Sequence, residues 1–161
     1  MPVLWSTGIS PGPCAPRPTT RAPRAAGTAY VQTETWRLPA LYAAVGIGAI
    51  ACALLVANNL RDIPTDRLSG KLTLAVRLGD ERTRGFYVLL LGLAAVALVG
   101  VALTTSWWAL LALVYAVPGI RAARVVLSKA LGPGLIPVLQ LTGVSELLYG
   151  AGLLVGLALA T

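Results

Sequence analysis

Asn58, Asp62 and Asp66 stand at four-residue intervals in a polar segment, Asn58 to Gly79, set between long apolar runs. On an α-helix this spacing projects all three side chains from one face. Two carboxylates and an amide oxygen make an all-oxygen donor set. Hard cations such as Mg²⁺ prefer such a set, with waters and phosphate oxygens completing the shell. Arg61, Arg67, Lys71 and Arg77 add cations at the short range that a bound diphosphate requires. The same residues also fit an ordinary charged loop between two membrane helices. Two features separate them from one: the segment abuts an apolar run, and Asn58 carries the row one turn into that run. Pro64 removes a donor and clashes with the preceding turn, so it is expected to disrupt the helix between Asp62 and Asp66.

The elements that must position these residues are membrane helices. The chain has 161 residues, 57% of them hydrophobic and only 12% charged, with mean hydropathy +0.77. Apolar runs of about eighteen to twenty residues serve a bilayer, not a water-soluble core. The predicted fold is all-α, a polytopic membrane protein with about four transmembrane helices. The formal net charge is +7, but the cations flank apolar runs in short segments. That distribution marks topology and argues against nucleic acid as a partner. Histidine is absent, and Cys14 and Cys52 form no CxxC pair. Zinc sites and histidine-based catalysis therefore lack ligands. Chemistry here must run on carboxylates, basic groups and a metal.

Residues 1–29 hold six prolines and three arginines with no periodicity. They are expected to be disordered, ahead of a membrane domain over residues 30–161. Four spans are predicted: Leu38–Ala57, Phe86–Leu103, one from Trp107 that Pro118 should kink or end near Gly119, and one from about Leu135 to Ala160. Pro137 falls in the first turn of the last. The loop 58–85 carries six Lys and Arg, residues 104–106 none, and 119–134 three. The positive-inside rule then puts the aspartate segment in the cytoplasm of a multi-pass cell-membrane protein. Trp36, Trp107 and Trp108 fall at the outer interface, where such rings are favoured. Arg17, Arg21, Arg24 and Arg37 violate this topology, and an additional preceding helix would remove the conflict. In the last span Thr142, Ser145, Glu146 and Tyr149 share a face, so Glu146 and Tyr149 are candidates for the polar wall of a cavity. Glu146 lies only about two turns from the cytoplasmic end, so reaching the interface or bonding a neighbouring helix is the structural alternative for it. Gly152 and Gly156 form a GxxxG step suited to close packing.

The string NNLRDIPTDRLSGKLTLAVRLG resembles the second aspartate-rich motif of the UbiA superfamily of intramembrane prenyltransferases. Its nearest likeness is the branch that prenylates 1,4-dihydroxy-2-naphthoate on the way to menaquinone. The pattern NxxxDxxxD maps onto Asn58, Asp62 and Asp66, and GKxTLAVRLG onto Gly70 through Gly79. The resemblance implies a bundle of about nine helices in which two aspartate motifs hold Mg²⁺ against a polyprenyl diphosphate. By that correspondence Asn58, Asp62 and Asp66 are metal ligands, and Arg61, Lys71 and Arg77 contact the diphosphate. The implied reaction transfers the prenyl group to an aromatic acid and gives demethylmenaquinone.

The likeness covers only about residues 27–161. Asp62, Asp66 and Asp80 are the chain's only aspartates, so no first motif is found. The expectation is a C-terminal portion of such an enzyme with a foreign N-terminal segment, inactive alone. A non-catalytic membrane module, completed by the missing N-terminal half or another copy, is the alternative. CDP-alcohol phosphotransferases need a different aspartate spacing, and a small transporter leaves the motif without explanation.

Overall fold

The computed structural model describes residues 38–160. The disordered, foreign character expected of residues 1–29, and the expectations for Trp36 and the arginines up to Arg37, lie outside the described residues. Every long element among residues 38–160 is a helix. Helix α1 spans Leu38–Leu68, the short α2 Leu74–Leu78 and α3 Asp80–Thr104. A 3₁₀ segment over Trp107–Tyr115 runs directly into α4, Ala116–Leu127. A 3₁₀ turn at Gly132–Leu135 leads into α5, Ile136–Ala158. Four of these stretches are long and apolar enough to cross a membrane: α1, α3, Trp107–Leu127 and Gly132–Ala158. The expected all-α polytopic membrane architecture is the one observed.

The inward side of α1 reads Gly46, Ala49, Ile50, Ala53, Val56, Ala57, Leu60 and Ile63, a three-four spacing that keeps one stripe against neighbours. In α3 the corresponding stripe includes Tyr87, Leu90, Leu91, Ala94, Leu98 and Val101. The large apolar side chains outside these stripes, such as Leu55, Leu89 and Leu147, are exposed, as lipid-facing residues should be. Lipid tails are as apolar as leucine, so close packing and interhelical hydrogen bonds must hold such helices together. Both are present. A side chain on Gly152 would overlap the backbone of Ala112, and one on Gly156 the carbonyl of Trp108. The GxxxG step therefore seats α5 on the 3₁₀ segment. Tyr87 on α3 donates to Thr142 on α5 at 2.7 Å, and the Thr142 hydroxyl donates to the Val138 carbonyl. Tyr115 donates to the Leu91 carbonyl at 3.1 Å.

Two expectations for proline change. Pro64 lies inside a continuous α1. Neighbouring packing overrides the local penalty: Ile63 and Asp66 are both buried, and the amide of Lys71 closes the helix end on the Asp66 carbonyl at 2.8 Å. Pro118 does not end the third span, which continues to Leu127. The chain is 3₁₀ up to Tyr115, so Pro118 falls in the first turn of α4, where the missing N–H costs little. Pro137 lies at the start of α5, as expected.

Candidate metal and diphosphate site

Helix α1 has 31 residues, about 46 Å of length against a hydrocarbon thickness of about 30 Å. Its last three turns, Asn58 to Leu68, therefore extend beyond the apolar run and carry the row of oxygen ligands. Because the helix is unbroken, the four-residue spacing holds across all three positions. Each step of four drifts by about 40° around the axis, so the three side chains meet different surroundings. Asn58 and Asp62 are half-buried, whereas Asp66 is buried against the bundle.

The basic residues named from the sequence are distributed around this row. The Arg61 guanidinium grips Asp62 in a two-pronged pair, Nε to Oδ1 at 2.8 Å and Nη2 to Oδ2 at 3.1 Å. Lys71 stands farther from Asp66, with Nζ 3.8 Å from Oδ1 and a largely exposed side chain. Arg77 is exposed on α2. The turn that presents these groups has its own local logic. Ser69 returns its hydroxyl to the carbonyls of Thr65 and Asp66, at 3.0 and 3.1 Å. Gly70 and Gly79 take positive φ, +69° and +80°, where a side chain would be strained. Thr73 caps α2 through its hydroxyl, and Ala75 seats that helix in the core. The sequence GKLTLAVRLG is thus a folded-back strap over the end of the bundle.

The structure places Tyr149 elsewhere. It lies in the middle of the bundle core, packed with Ile50, Leu98 and Ala112. Its hydroxyl donates to the Ala94 carbonyl at 3.3 Å. Glu146, one turn earlier, is half-buried. Neither joins the aspartate row, while Thr142 and Ser145 on that face are buried and bonded within the bundle.

Sequence reasoning passed over one group. Arg84 is buried yet charged, and its guanidinium takes Asp80 in a two-pronged pair at 2.7 and 2.8 Å. It also donates to the carbonyls of Val126 and Ala130, the latter at 2.9 Å. Those carbonyls lie at and beyond the end of α4, where intrahelical donors run out. Arg84 therefore ties the start of α3, next to the strap, to the end of the third span. The legible signal was the Asp80–Arg84 spacing of four.

The donor set can be tested against a metal on its own chemistry. Among the described residues no group of three or more carboxylate, thiolate or imidazole side chains converges on one point. A closed, all-protein cage is therefore not built here. Two carboxylates plus an amide oxygen fit a cation that keeps waters and takes phosphate oxygens, which is how Mg²⁺ is commonly held.

Comparison with known proteins decides the family. The UbiA prenyltransferase family matches over residues 19–133. The chain belongs to the UbiA prenyltransferase family. The match begins at Thr19, ahead of the onset near residue 27 expected from the sequence. A 1,4-dihydroxy-2-naphthoate octaprenyltransferase from Mycobacterium tuberculosis is 48% identical over 123 residues, 76% of this chain and 42% of that protein. A protein of the same name from Mycobacterium leprae is 44% identical over 134 residues, 83% of this chain and 45% of that protein. Another from Escherichia coli is 34% identical over 136 residues, 83% of this chain and 44% of that protein. The chain thus spans less than half the length of these relatives. No solved structure matches it.

Proposed function

We propose that this chain supplies one wall of the active site of a Mg²⁺-dependent prenyltransferase in menaquinone biosynthesis. The reaction is transfer of a polyprenyl group from its diphosphate to 1,4-dihydroxy-2-naphthoate. One observation carries the reading: the row Asn58, Asp62, Asp66 lies on an unbroken helix that emerges from an apolar bundle beneath a basic strap. The relatives' shared name gives the reading its substrates.

In this reading Asp62 and Asp66 hold the metal, with Asn58 as a supporting oxygen. When bound, Mg²⁺ supplies positive charge against the diphosphate as it departs from the allylic carbon. Lys71 and Arg77 on the strap, and Arg61 once its guanidinium turns from Asp62, bind the diphosphate oxygens. Preorganised cations of this kind favour the charge that grows on a leaving group. The apolar helices exclude water from the allylic cation until the aromatic carbon attacks. The site faces the cytoplasm, by the excess of Lys and Arg around it. The resemblance implies a second aspartate motif opposite this one, supplied by the remainder of a full-length enzyme or by a partner chain.

The test is prenyl transfer in membranes from a host lacking its own enzyme, given Mg²⁺, dihydroxynaphthoate and a polyprenyl diphosphate. The chain is expressed alone and together with the N-terminal half of a relative. Activity should appear with the added half and fall roughly 10²-fold or more in Asp62→Ala. Activity that is indifferent to Asp62 and Asp66 would refute the assignment. No activity in either arm, from chains shown to be folded and associated, would favour a non-catalytic membrane module.

A further inference from the structure

Arg84 stands at a seam that packing leaves partly open. A groove of about 290 Å³ lies between α3 and α4, bordered by Val88 on one helix and Ala123 on the other. One turn ahead of Val88, Arg84 crosses from α3 to the end of α4. Four of its five N–H groups are engaged, two on Asp80 and one each on the carbonyls of Val126 and Ala130. Its side chain is buried, so it has little left to offer a ligand directly. What it does instead is fix where α3 begins.

The strap ends at that point. The Gly79 amide donates to the Ala75 carbonyl at 3.0 Å. The Gly79 carbonyl accepts from the Thr83 amide at 3.2 Å and from the Thr83 hydroxyl at 2.7 Å. Thr83 is buried, so the end of α2 is locked to the first turn of α3. Helix α2 has five residues, too few to hold itself in place, and buries Ala75 alone. Its position therefore follows from its two ends. The first end belongs to α1, where the Lys71 amide bonds the Asp66 carbonyl at 2.8 Å. The second belongs to the start of α3, which Arg84 anchors. Arg77 lies two residues before Gly79 and moves with this second end.

We infer that Arg84 is a positioning residue for Arg77. By tying the start of α3 to the end of the third span, it holds the far end of the strap, and with it the Arg77 guanidinium, in place for the diphosphate. This positioning rests on the reading above, in which Arg77 binds diphosphate oxygens and Asp62 and Asp66 hold the metal. Lys71, fixed from α1, stands outside its control. A guanidinium suits the task because its planar fork bonds three partners in fixed directions at once. The single ammonium of a lysine does not.

The test titrates inorganic pyrophosphate into the purified 161-residue chain in detergent at saturating Mn²⁺. Electron paramagnetic resonance reads the immobilised Mn²⁺, so each titration gives both an affinity and a number of sites. Arg77→Gln should weaken pyrophosphate about tenfold, the loss of one charged hydrogen bond. Arg84→Met should weaken it about threefold to tenfold with the number of sites unchanged. Added to Arg77→Gln, Arg84→Met should do little more, because the group it positions is gone. Added to Lys71→Gln, its effect should multiply. An arginine that merely stabilised the fold would reduce the number of sites and leave the affinity of the rest alone. Circular dichroism and gel filtration check each variant. Arg84→Lys, which keeps the charge but not the fork, takes the place of Arg84→Met if that chain misfolds. An unchanged affinity in the Arg84 or the Arg77 variant, or losses from the two that multiply, would overturn the proposal while Asp62-dependent binding upheld the metal site. Binding that survives Asp62→Asn, or no binding by the unaltered chain, would overturn the metal site and this proposal together.

Discussion

The hydroxyl of Tyr149 on α5 lies where a side chain on Gly46 of α1 would begin. The same ring meets Tyr115 of the third span edge-on, with centroids 5.1 Å apart and planes at 80°. Its hydroxyl donates to the Ala94 carbonyl of α3. One side chain of α5 thus touches the other three spans, and it fits because α1 has only hydrogen at that position. Gly46→Ala should cost about 1–3 kcal/mol by overpacking. Tyr149→Phe alone should cost about 0.6 kcal/mol, the mean for a hydrogen bond between membrane helices. In the double variant the colliding hydroxyl is gone, so part of the Gly46→Ala loss should return. Thermal unfolding in detergent, followed by circular dichroism, measures the cycle. Strict additivity would mean that the two residues do not press on each other.

Arg84 supports a second prediction, because its partners differ in exposure. The Asp80 side chain is 42% exposed, whereas that of Arg84 is only 5% exposed. Asp80→Asn leaves the arginine its two carbonyls and should cost no more than about 1 kcal/mol. Arg84→Met strips donors from the Val126 and Ala130 carbonyls and should cost about 1–3 kcal/mol. Proteolysis of the 128–131 connection should accelerate in Arg84→Met and barely change in Asp80→Asn. Equal effects of the two substitutions would assign the stability to the ion pair instead.

Composition and periodicity made the four spans legible, since a bilayer imposes a minimum apolar length that few other constraints imitate. The aspartate row was legible for a different reason: its spacing matches the helical pitch. Proline was where local reasoning failed. Pro64 reads as a breaker, yet buried Ile63 and Asp66 keep α1 intact around it. Pro118 reads as a kink or a stop, and the span does not stop there, because the preceding turns are 3₁₀ and place it in a first turn. Neither packing nor helix type is written in the nearest neighbours of a residue. Arg84 went unnoticed for the same reason, because two of its partners, Val126 and Ala130, lie more than forty residues away.

The metal assignment predicts a binding event that needs no turnover. Mn²⁺ substitutes for Mg²⁺ at oxygen sites and is visible by electron paramagnetic resonance. With inorganic pyrophosphate present, the chain should immobilise Mn²⁺. Asp62→Asn and Asp66→Asn should each lower the affinity about tenfold or more, the scale of losing one charged hydrogen bond or ligand. Asp62→Asn should leave thermal stability within about 1 kcal/mol, since its pair with Arg61 is partly exposed. Pyrophosphate-dependent Mn²⁺ binding that survives both substitutions would remove the row from the metal site.

Orientation in the membrane is tested by labelling. Ser69 and Thr105 are both exposed and mark the two ends of the bundle, one on the strap and one in the turn after α3. In a background of Cys14→Ser and Cys52→Ser, each is replaced by cysteine and treated with a membrane-impermeant maleimide. Six Lys and Arg in the 58–85 connection against none at 104–106 set the expected sides. Trp107 and Trp108 at the second end are exposed, and such amphipathic rings are favoured at a membrane interface. Thr105→Cys should therefore label in intact cells, and Ser69→Cys only after permeabilisation. The reverse pattern would place the aspartate row outside, away from a cytoplasmic supply of prenyl diphosphate. It would then count against the proposed reaction as well as the topology.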